Sequence, residues 1–470
     1  MAVDAINKMN TICAISTPYG SGGIAVVRVS GANAITIVDS LFHAKKSLNE
    51  AKAYTVHYGC IKHKDELLDQ VLVSVFRAPH SFTGEDVVEI ACHGSMYIQQ
   101  TLLQWLVDAG CQLAKAGEFT QRAFLNGKMD LTEAEAVADL IAAQTKAEKD
   151  LALCQLRGGI SNELAALRER LLTFTSLVEL ELDFADHEEL EFADRSELFA
   201  LAQEIDTTIS NLVGSFKTGN AIKQGIPVAI IGAPNVGKST LLNALLGEER
   251  AIVSDIHGTT RDVIEDTIEI GDTLFRFIDT AGLRETTDVI ESLGIERTIS
   301  KLTDARIVLW VIDSAISVEQ LNTVAQRVLP HTSDDQTIIV ALNKIDINAT
   351  NVDTLQSALK DILPQGAVIA PISAQRGDEI DALQQHLINA SGSADIAPGE
   401  VMVTNARHYQ ALTRAGESIS RAIDGINMGI SGDFIAQDVR ETLHHLGEIT
   451  GTITTHDILG EIFSRFCIGK

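Results

Sequence analysis

A chain of 470 residues is too long for one hydrophobic core, and roughly two to four domains are expected. Its 45% apolar and 21% charged residues are those of an ordinary soluble globular protein. The net charge of −27 excludes general electrostatic attraction to nucleic acid, so any such contact needs a local basic patch or a partner. The longest strongly apolar run, Ile307–Ile312, is closed by Asp313 and is far too short to span a bilayer; the N-terminus lacks the layout of a signal peptide. Cys13, Cys60, Cys92, Cys111, Cys154 and Cys467 form no C-x-x-C pair, which argues against a zinc site or a disulfide framework and fits a reducing cytoplasm.

Residues 1–125 read as mixed α/β. Residues 11–15, 24–29, 71–76 and 87–90 are strand-like, and Tyr97–Ala109 reads as a helix stopped by Gly110. Two polar turns, Pro18-Tyr-Gly-Ser-Gly-Gly23 and Ser81-Phe-Thr-Gly-Glu-Asp86, each precede a strand. Residues 130–215 read as helical. Leu156, Ile160, Leu164, Leu167, Leu171, Phe174 and Val178 mark one face of a long amphipathic helix, with acidic residues gathered at 179–191. A second helical block starts near Ala406 and runs through Leu412, Ala415, Ile419, Ala422, Ile423 and Phe434 to Leu446. Neither block has a globular pattern of its own, so the two are expected to pack together, with 217–385 inserted between them. The expected domains are 1–125, 126–216, 217–385 and 386–470.

The insertion alternates strands (228–231, 264–270, 273–278, 307–312, 337–342 and 368–372) with helices, the pattern of a doubly wound, mostly parallel sheet. It opens with Gly232-Ala-Pro-Asn-Val-Gly-Lys-Ser-Thr240 between an apolar strand and an amphipathic helix, the context of a phosphate-binding loop. By composition the bare pattern arises by chance in about one chain of this length in fifty, and the flanking elements lower that further. Gly232 and Gly237 allow successive N–H groups to converge on a phosphate, and the following helix adds its positive dipole end. Lys238 supplies a cation for the β- and γ-phosphates and Ser239 a hydroxyl for Mg²⁺.

Four further stretches lie where a GTPase needs them. Gly258-Thr-Thr-Arg-Asp262 offers Thr260 to Mg²⁺. Asp279-Thr-Ala-Gly282 places a carboxylate near the metal and an N–H near the γ-phosphate. Asn343-Lys-Ile-Asp346 puts Asp346 against the guanine N1–H and N2–H₂ edge, which adenine cannot match, and Ser373-Ala-Gln375 closes the base pocket. Leu283 stands where Ras-like proteins keep the water-orienting glutamine, so another polar group must act, with Glu285, Asp288 and Glu291 as acidic candidates.

With these motifs, and with Ser81–Asp86, Gly117-Glu-Phe-Thr-Gln-Arg-Ala-Phe-Leu-Asn126 and the terminal Phe466-Cys-Ile-Gly-Lys470, essentially the whole chain resembles the bacterial MnmE (TrmE) family of tRNA-modification GTPases. The tail is not a prenylation box, because Lys is not a usual final residue. The resemblance implies an α/β N-terminal domain that dimerises and binds 5-formyl-tetrahydrofolate or a related one-carbon folate, a helical domain, and an inserted P-loop GTPase domain. Position within the matching motifs makes Arg28, Glu89 and Lys128 folate ligands, with Lys470 reaching the pocket from the tail and Cys467 open to a part in the chemistry. A pterin suits a carboxylate, and its glutamate tail suits Lys or Arg.

The resemblance further implies K⁺-dependent hydrolysis activated by dimerisation. The K⁺ ligands would be Asn235, the backbone oxygens of Ser254 and Ile256, and Thr259; the family usually has Thr at the position of Ser254. Glu291 matches the family's catalytic glutamate and acts with Lys238, Asp279 and Gly282. The implied nucleotide contacts are Asn235, Val236, Gly237, Lys238, Ser239 and Thr240; Ser254, Asp255, Ile256, His257, Gly258, Thr259 and Thr260; Asp279, Thr280, Ala281 and Gly282; Asn343, Lys344 and Asp346; and Ser373, Ala374 and Gln375. The implied setting is a cytoplasmic homodimer that forms a heterotetramer or larger assembly with an FAD-dependent, MnmG-like partner. It acts on wobble uridine in tRNA, with no membrane or DNA partner. Two other readings stand beside this one: a ribosome-assembly GTPase of the Era or Der type, and a nucleotide-gated scaffold that binds GTP but hardly turns it over.

Overall fold

The computed structural model describes residues 10–184, 195–246, 266–278, 302, 305–333, 335–391, 400–454, 456–464, 466 and 469. They fall into two compact units. The first lies within Met1–Ala142, Gln155–Ser210 and Gln410–Lys470, the second within Ala143–Cys154 and Asn211–Tyr409.

The chain begins with strands β1 (Ile12–Ile15) and β2 (Ile24–Ser30), helix α1 (Ala34–Leu41), and strands β3 (Phe42–His43), β4 (Thr55–His63), β5 (Glu66–Phe76) and β6 (Val87–His93). Helix α2 (Met96–Asp108) and strand β7 (Gln112–Leu113) follow. They form a seven-stranded sheet in the order β3-β4-β5-β6-β2-β1-β7, antiparallel except where β1 meets β7. Strict alternation sends Val71, Val73 and Val75 of β5, Val88 and Ile90 of β6, and Val27 and Val29 of β2 to one face. There they meet Val38 of α1 and Leu102 and Leu106 of α2. β4 escapes the sequence reading because only Gly59 and Ile61 of its nine residues are buried, while Val56 and Tyr58 point outward and stay exposed.

On the opposite face, helix α3 (Glu118–Leu125) inserts Phe119 against Ile12, Ala14 and Phe82. Arg122 of α3 is 3% exposed; it pairs with Glu85 at 3.1 Å and Glu118 at 2.9 Å and donates to the Asn10 carbonyl at 2.9 Å. The guanidinium holds the Ser81–Asp86 turn and the Gly117–Asn126 segment to the start of β1.

Helices α4 (Leu131–Ala142), α5 (Lys146–Leu156), α6 (Gly159–Phe184) and α7 (Arg195–Gln224) come next. The expected continuous helix through Leu156 is interrupted: α5 ends there, Gly158 adopts φ +82°, and α6 restarts at Gly159. Beyond the break the expected face holds, and Ile160, Leu164, Leu167, Leu171, Phe174 and Val178 are all buried.

The second unit is built on β8 (Ile226–Ile231), α8 (Lys238–Leu246), β9 (Asp266–Ile270), β10 (Thr273–Ile278) and β11 (Ile307–Asp313). It continues with α9 (Val318–Val328), β12 (Thr337–Asn343), α10 (Val352–Ile362), β13 (Val368–Pro371) and α11 (Ile380–Ser391). The sheet order is β13-β12-β11-β8-β10-β9, parallel except for the β9–β10 hairpin. α8 and α11 cover one face through Leu241, Leu245, Leu383 and Leu387. α9 and α10 cover the other through Leu321, Leu355 and Leu359. Central β11 is buried on both faces from Ile307 to Ile312, which is why it reads as an unbroken apolar run.

The chain then returns through α12 (Ala406–Asn427), α13 (Gly432–Thr450) and α14 (His456–Ser464). α13 packs against α6 and α4, so the two helical blocks do share a core. The block is broken at 428–431, and Phe434 is exposed rather than buried. Leu459 and Phe463 of α14, with Phe466, pack on Leu131, Ala134 and Phe124. Gly469 then lies so close to β1 that a Cβ there would stand 2.3 Å from the Ile15 carbonyl oxygen, and that carbonyl's neighbour Ser16 donates its hydroxyl to the Gly469 carbonyl at 3.2 Å.

Replacing Arg122 with Ala strands the Glu85 and Glu118 carboxylates in a largely buried setting. Loss of one partner of such a cluster costs about 3–5 kcal/mol. Urea unfolding of Arg122→Ala should show that loss; a change under ~1 kcal/mol would mean that water replaces the guanidinium at no cost.

Candidate functional site

In an open α/β sheet ligands bind beyond the carboxyl ends of the strands, where the strand order reverses. Here that point is the end of β8, flanked by β11 and β10. The loop Gly232–Gly237 leads from β8 into α8. Gly237 has φ +99°, and a Cβ on it would come within 2.3 Å of the Asn343 Nδ2, so no side chain fits between this loop and β12. Asn235 also has a left-handed backbone, φ +62°.

Side-chain donors hold the carbonyls of this loop. Lys238 Nζ donates to the carbonyls of Gly232 and Ala233, both at 2.8 Å, and burial pushes its pKa down. A polyanion at the loop would repay that desolvation. Asn343 is 2% exposed; its Nδ2 donates to the Val236 carbonyl and its Oδ1 accepts from the Ala374 N–H, both at 2.9 Å. Lys344, with φ +66°, donates to the Asn235 carbonyl at 2.8 Å and to Asp313 Oδ2 at 2.7 Å.

Asp346 follows at the same strand end. Its Oδ1 accepts from Ser373 Oγ at 2.8 Å, and Arg376 Nε lies 3.6 Å from Oδ2. Ser373 and Ala374 are buried and Gln375 is exposed at the rim. The structure therefore brings Asn235, Val236, Gly237, Lys238, Asn343, Lys344, Asp346, Ser373 and Ala374 to one end of the sheet. Ser239 and Thr240 stand exposed in the first turn of α8.

The Ser239 hydroxyl is a hard oxygen donor of the kind Mg²⁺ takes. The remaining expected donors and catalytic groups lie outside the described residues: Ser254, Asp255, Ile256, His257, Gly258, Thr259, Thr260, Asp279, Thr280, Ala281, Gly282 and Glu291, with Leu283, Glu285 and Asp288. Among the described residues no group of three or more His, Cys, Asp or Glu side chains could hold a metal.

The second constellation lies on the outward face of the N-terminal sheet. Register places Arg28 of β2 opposite both Ala14 of β1 and Glu89 of β6. Arg28 binds Glu89 through Nε at 2.9 Å and through its terminal NH2 at 2.8 Å, both on Oε1. Its guanidinium lies 5.5 Å from the Phe82 ring centroid and 5.6 Å from that of Phe119. Both contacts fall on Oε1, so the second Glu89 oxygen is not engaged by Arg28. A partly exposed carboxylate with a free oxygen can accept a hydrogen bond from a donor-bearing ligand. Lys128 donates to the Pro79 carbonyl at 3.1 Å, next to the same turn. Gly469 brings the tail to Ile15 at this edge, while Cys467 and Lys470 lie outside the described residues. Burial, helped by Asp69, pushes the Cys92 thiol up to about 11, which leaves it inert at neutral pH.

Sequence reasoning passes over Asp313, Arg376, Phe82 and Phe119. The last two sit inside quoted motifs, and Asp313 shows only as the residue that ends an apolar run.

A phosphate loop opening a doubly wound sheet, with an Asn-Lys-x-Asp strand end folded onto it, defines the class: a P-loop GTPase. The family model for the MnmE helical domain matches residues 131–467, and that for the GTP-binding protein TrmE N-terminus matches 11–128. The chain is 55% identical to the tRNA modification GTPase MnmE of Parabacteroides distasonis, over 98% of this chain and 100% of that one. It is 50% identical to that of Porphyromonas gingivalis, over 99% of each. The chain belongs to the MnmE family of tRNA modification GTPases. Among solved structures, a GTP-binding protein from Sulfolobus solfataricus in complex with GDP is 20% identical over 52% of this chain and 72% of its own. Its TM-score is 0.28, too low to bear on the argument.

Asp346→Asn replaces the acceptor of the guanine edge by an amide. Preference should move from GTP towards xanthosine triphosphate, by orders of magnitude if the carboxylate takes both base donors. Competition binding of the two nucleotides measures it, and unchanged GTP affinity would remove Asp346 from the base pocket.

Proposed function

We propose that this chain hydrolyses GTP within a cycle that installs the 5-carboxymethylaminomethyl or aminomethyl group on wobble uridine 34 of certain tRNAs. It does so with an FAD-containing partner resembling MnmG and a one-carbon tetrahydrofolate. The observation that carries this reading is the match to MnmE relatives over 98% of the chain, which takes in both the nucleotide loop and the N-terminal sheet. In this reading 1–125 is the folate and dimerisation domain, 126–216 with 386–470 the helical domain, and 217–385 the GTPase domain.

At the nucleotide site Lys238 neutralises phosphate charge, the loop N–H groups hold the phosphates, and Asp346 with Ser373 and Ala374 selects guanine. Ser239 and Thr260 hold Mg²⁺, which screens charge on the phosphates. Asp279 and the Gly282 N–H orient the metal side and the γ-phosphate, and Glu291 orients the attacking water in place of the glutamine that Leu283 displaces. Asn235, Ser254, Ile256 and Thr259 hold K⁺. At the N-terminal site Glu89 accepts from the pterin edge, while Arg28, Lys128 and Lys470 meet carboxylates; the folate carries the one-carbon unit. Self-association is supported by the outward face of β4 and β5, where Tyr58 and its cross-strand neighbour Leu72 are exposed beside Val56.

An Era- or Der-type protein would carry a KH-like domain or a second GTPase domain beside the six-stranded sheet. The described residues flanking it form helices and the seven-stranded sheet instead. Nucleoside mass spectrometry of tRNA from a strain lacking the gene tests the function: the wobble modification should vanish and return with the gene on a plasmid. Unchanged nucleosides would refute it.

GTP turnover should rise sharply in KCl over NaCl, and Asn235→Ala should flatten the difference. Equal rates in the two salts with the unaltered protein would sink the potassium assignment and favour the scaffold reading.

Deleting Cys467–Lys470 should leave GTP turnover intact and abolish tRNA modification, because in this reading the tail belongs to the N-terminal site and supplies no group to the nucleotide site. Both activities are measured on one preparation. Retained modification would refute the shared site, and loss of both would mark a folding defect.

A further inference from the structure

Between Gly232 and Val236 the phosphate loop presents five carbonyl oxygens, and side-chain donors hold four of them: Lys238 takes Gly232 and Ala233, Lys344 takes Asn235, and Asn343 takes Val236. A planar trans peptide points its carbonyl and the following N–H in opposite directions. Anchoring the Asn235 and Val236 carbonyls therefore turns the N–H groups of Val236 and Gly237 to the other side of the loop, where a phosphate is bound. Of these anchors, the Lys344 ammonium is a cation set on one neutral carbonyl of a loop whose Gly232 and Ala233 carbonyls a second cation, Lys238, already takes. Its countercharge comes from outside all the nucleotide motifs.

We propose that Asp313, the last residue of β11, is a positioning residue for nucleotide binding: its carboxylate holds Lys344 on the Asn235 carbonyl and thereby fixes the phosphate loop. This rests on the reading of Lys344 and Asn235 as part of the nucleotide site. Strand register delivers the carboxylate. Asp313 pairs with Asn343 across β11 and β12, the Ser314 N–H donates to the Asn343 carbonyl at 2.9 Å, and Ser314 Oγ donates to the Lys344 carbonyl at 2.9 Å. Asp313 Oδ1 accepts from the Ala315 N–H at 2.9 Å, which fixes the side chain, and Oδ2 accepts from Lys344 Nζ at 2.7 Å. A strand-end turn needs only the first of these bonds. The second reaches a residue thirty-one positions away.

The backbone at Lys344 is also strained. It holds a left-handed φ of +66°, which a residue other than Gly, Asn or Asp keeps only where its surroundings impose it, whereas Asn235, at +62°, is of a type that adopts this region readily. The Asp313–Lys344–Asn235 chain connects these two positions. Asp313 and Lys344 side chains are 26% and 32% exposed, so the pair is shielded enough to matter without being sealed from water.

The test compares the unaltered protein with Asp313→Asn, Lys344→Met and the double variant, using equilibrium binding of a fluorescent N-methylanthraniloyl GDP and steady-state GTP hydrolysis. A hydrogen bond to a charged group is worth about ten- to a hundred-fold in an equilibrium constant. Asp313→Asn should therefore weaken GDP binding and raise KM for GTP by about ten-fold or more. Its kcat should fall less than about three-fold, because the loop holds ground state and transition state alike. The Asp313 change should add nothing in the Lys344→Met background. A purely structural role would lower the active fraction and leave Kd and KM unmoved. If Lys344→Met weakens binding while Asp313→Asn does not, or if the two effects add, the Asp313 inference is overturned. If Lys344→Met itself leaves binding unchanged, the reading of the nucleotide site fails instead. Should Asp313→Asn not fold, Asp313→Ser removes the same charge and carries the same comparison.

Discussion

The constraint on which the GTPase unit depends is that the phosphate loop must turn its N–H groups inward without a regular hydrogen-bonding partner of its own. A loop between a strand and a helix leaves its carbonyls to be satisfied somewhere. In this chain they are satisfied from two directions, by Lys238 from the helix that the loop opens and by Asn343 and Lys344 from the end of β12. Asn343 also accepts from the Ala374 N–H beyond β13. Phosphate site and base site are thus one hydrogen-bonded assembly, and the parallel register of β8, β11, β12 and β13 supplies its spacing. That explains why motifs more than a hundred residues apart must appear together: each supplies a donor or acceptor that another leaves open.

The sequence shows this unit clearly because its signals are local. A glycine-rich turn, a buried parallel strand and an amphipathic helix each carry their period within a dozen residues, and all five described parallel strands fall within about two residues of their expected spans. The N-terminal unit is less legible, and the reason is physical. Half of β4 faces outward with apolar side chains, so Val56 and Tyr58 break the in–out alternation that a strand reading depends on. The long helix expected through Leu156 fails for a different reason: the apolar spacing continues across Gly158, but a left-handed residue there resets the helix. Arg28, Glu89 and Lys128 carry no chemical pattern in sequence at all. Only pairing across β2 and β6 shows Arg28 and Glu89 in contact, and only the fold sets Phe82 and Phe119 beside them.

The second unit is closed where the segments near 211 and 409 enter and leave it. Within the second unit Ser215 accepts from the Val403 N–H at 3.0 Å, the rings of Phe216 and Tyr409 stack at 4.4 Å, and Gly219 leaves no room for a side chain against the Val403 carbonyl. Entry and exit segments of this unit therefore lie side by side. The first unit is tied in the complementary way. Residues near its two ends meet, with Gly469 against Ile15 and Phe463 and Phe466 on Leu131 and Ala134, so its discontinuous pieces share a core.

Charge sets the last constraint. GTP is a polyanion entering a protein of net charge −27, yet its binding is decided locally, because charges beyond about 8 Å are largely screened at physiological ionic strength. Within that radius the loop offers Lys238, its converging N–H groups and the N-terminus of α8, and the global excess of acid hardly counts. A tRNA is different in scale. Its backbone spreads negative charge over many screening lengths, so it meets the acidic surface as a whole and gains little from one or two lysines. A tRNA-modifying chain this acidic therefore needs phosphate recognition concentrated in a local basic patch or supplied by a second protein, because its average surface repels the backbone.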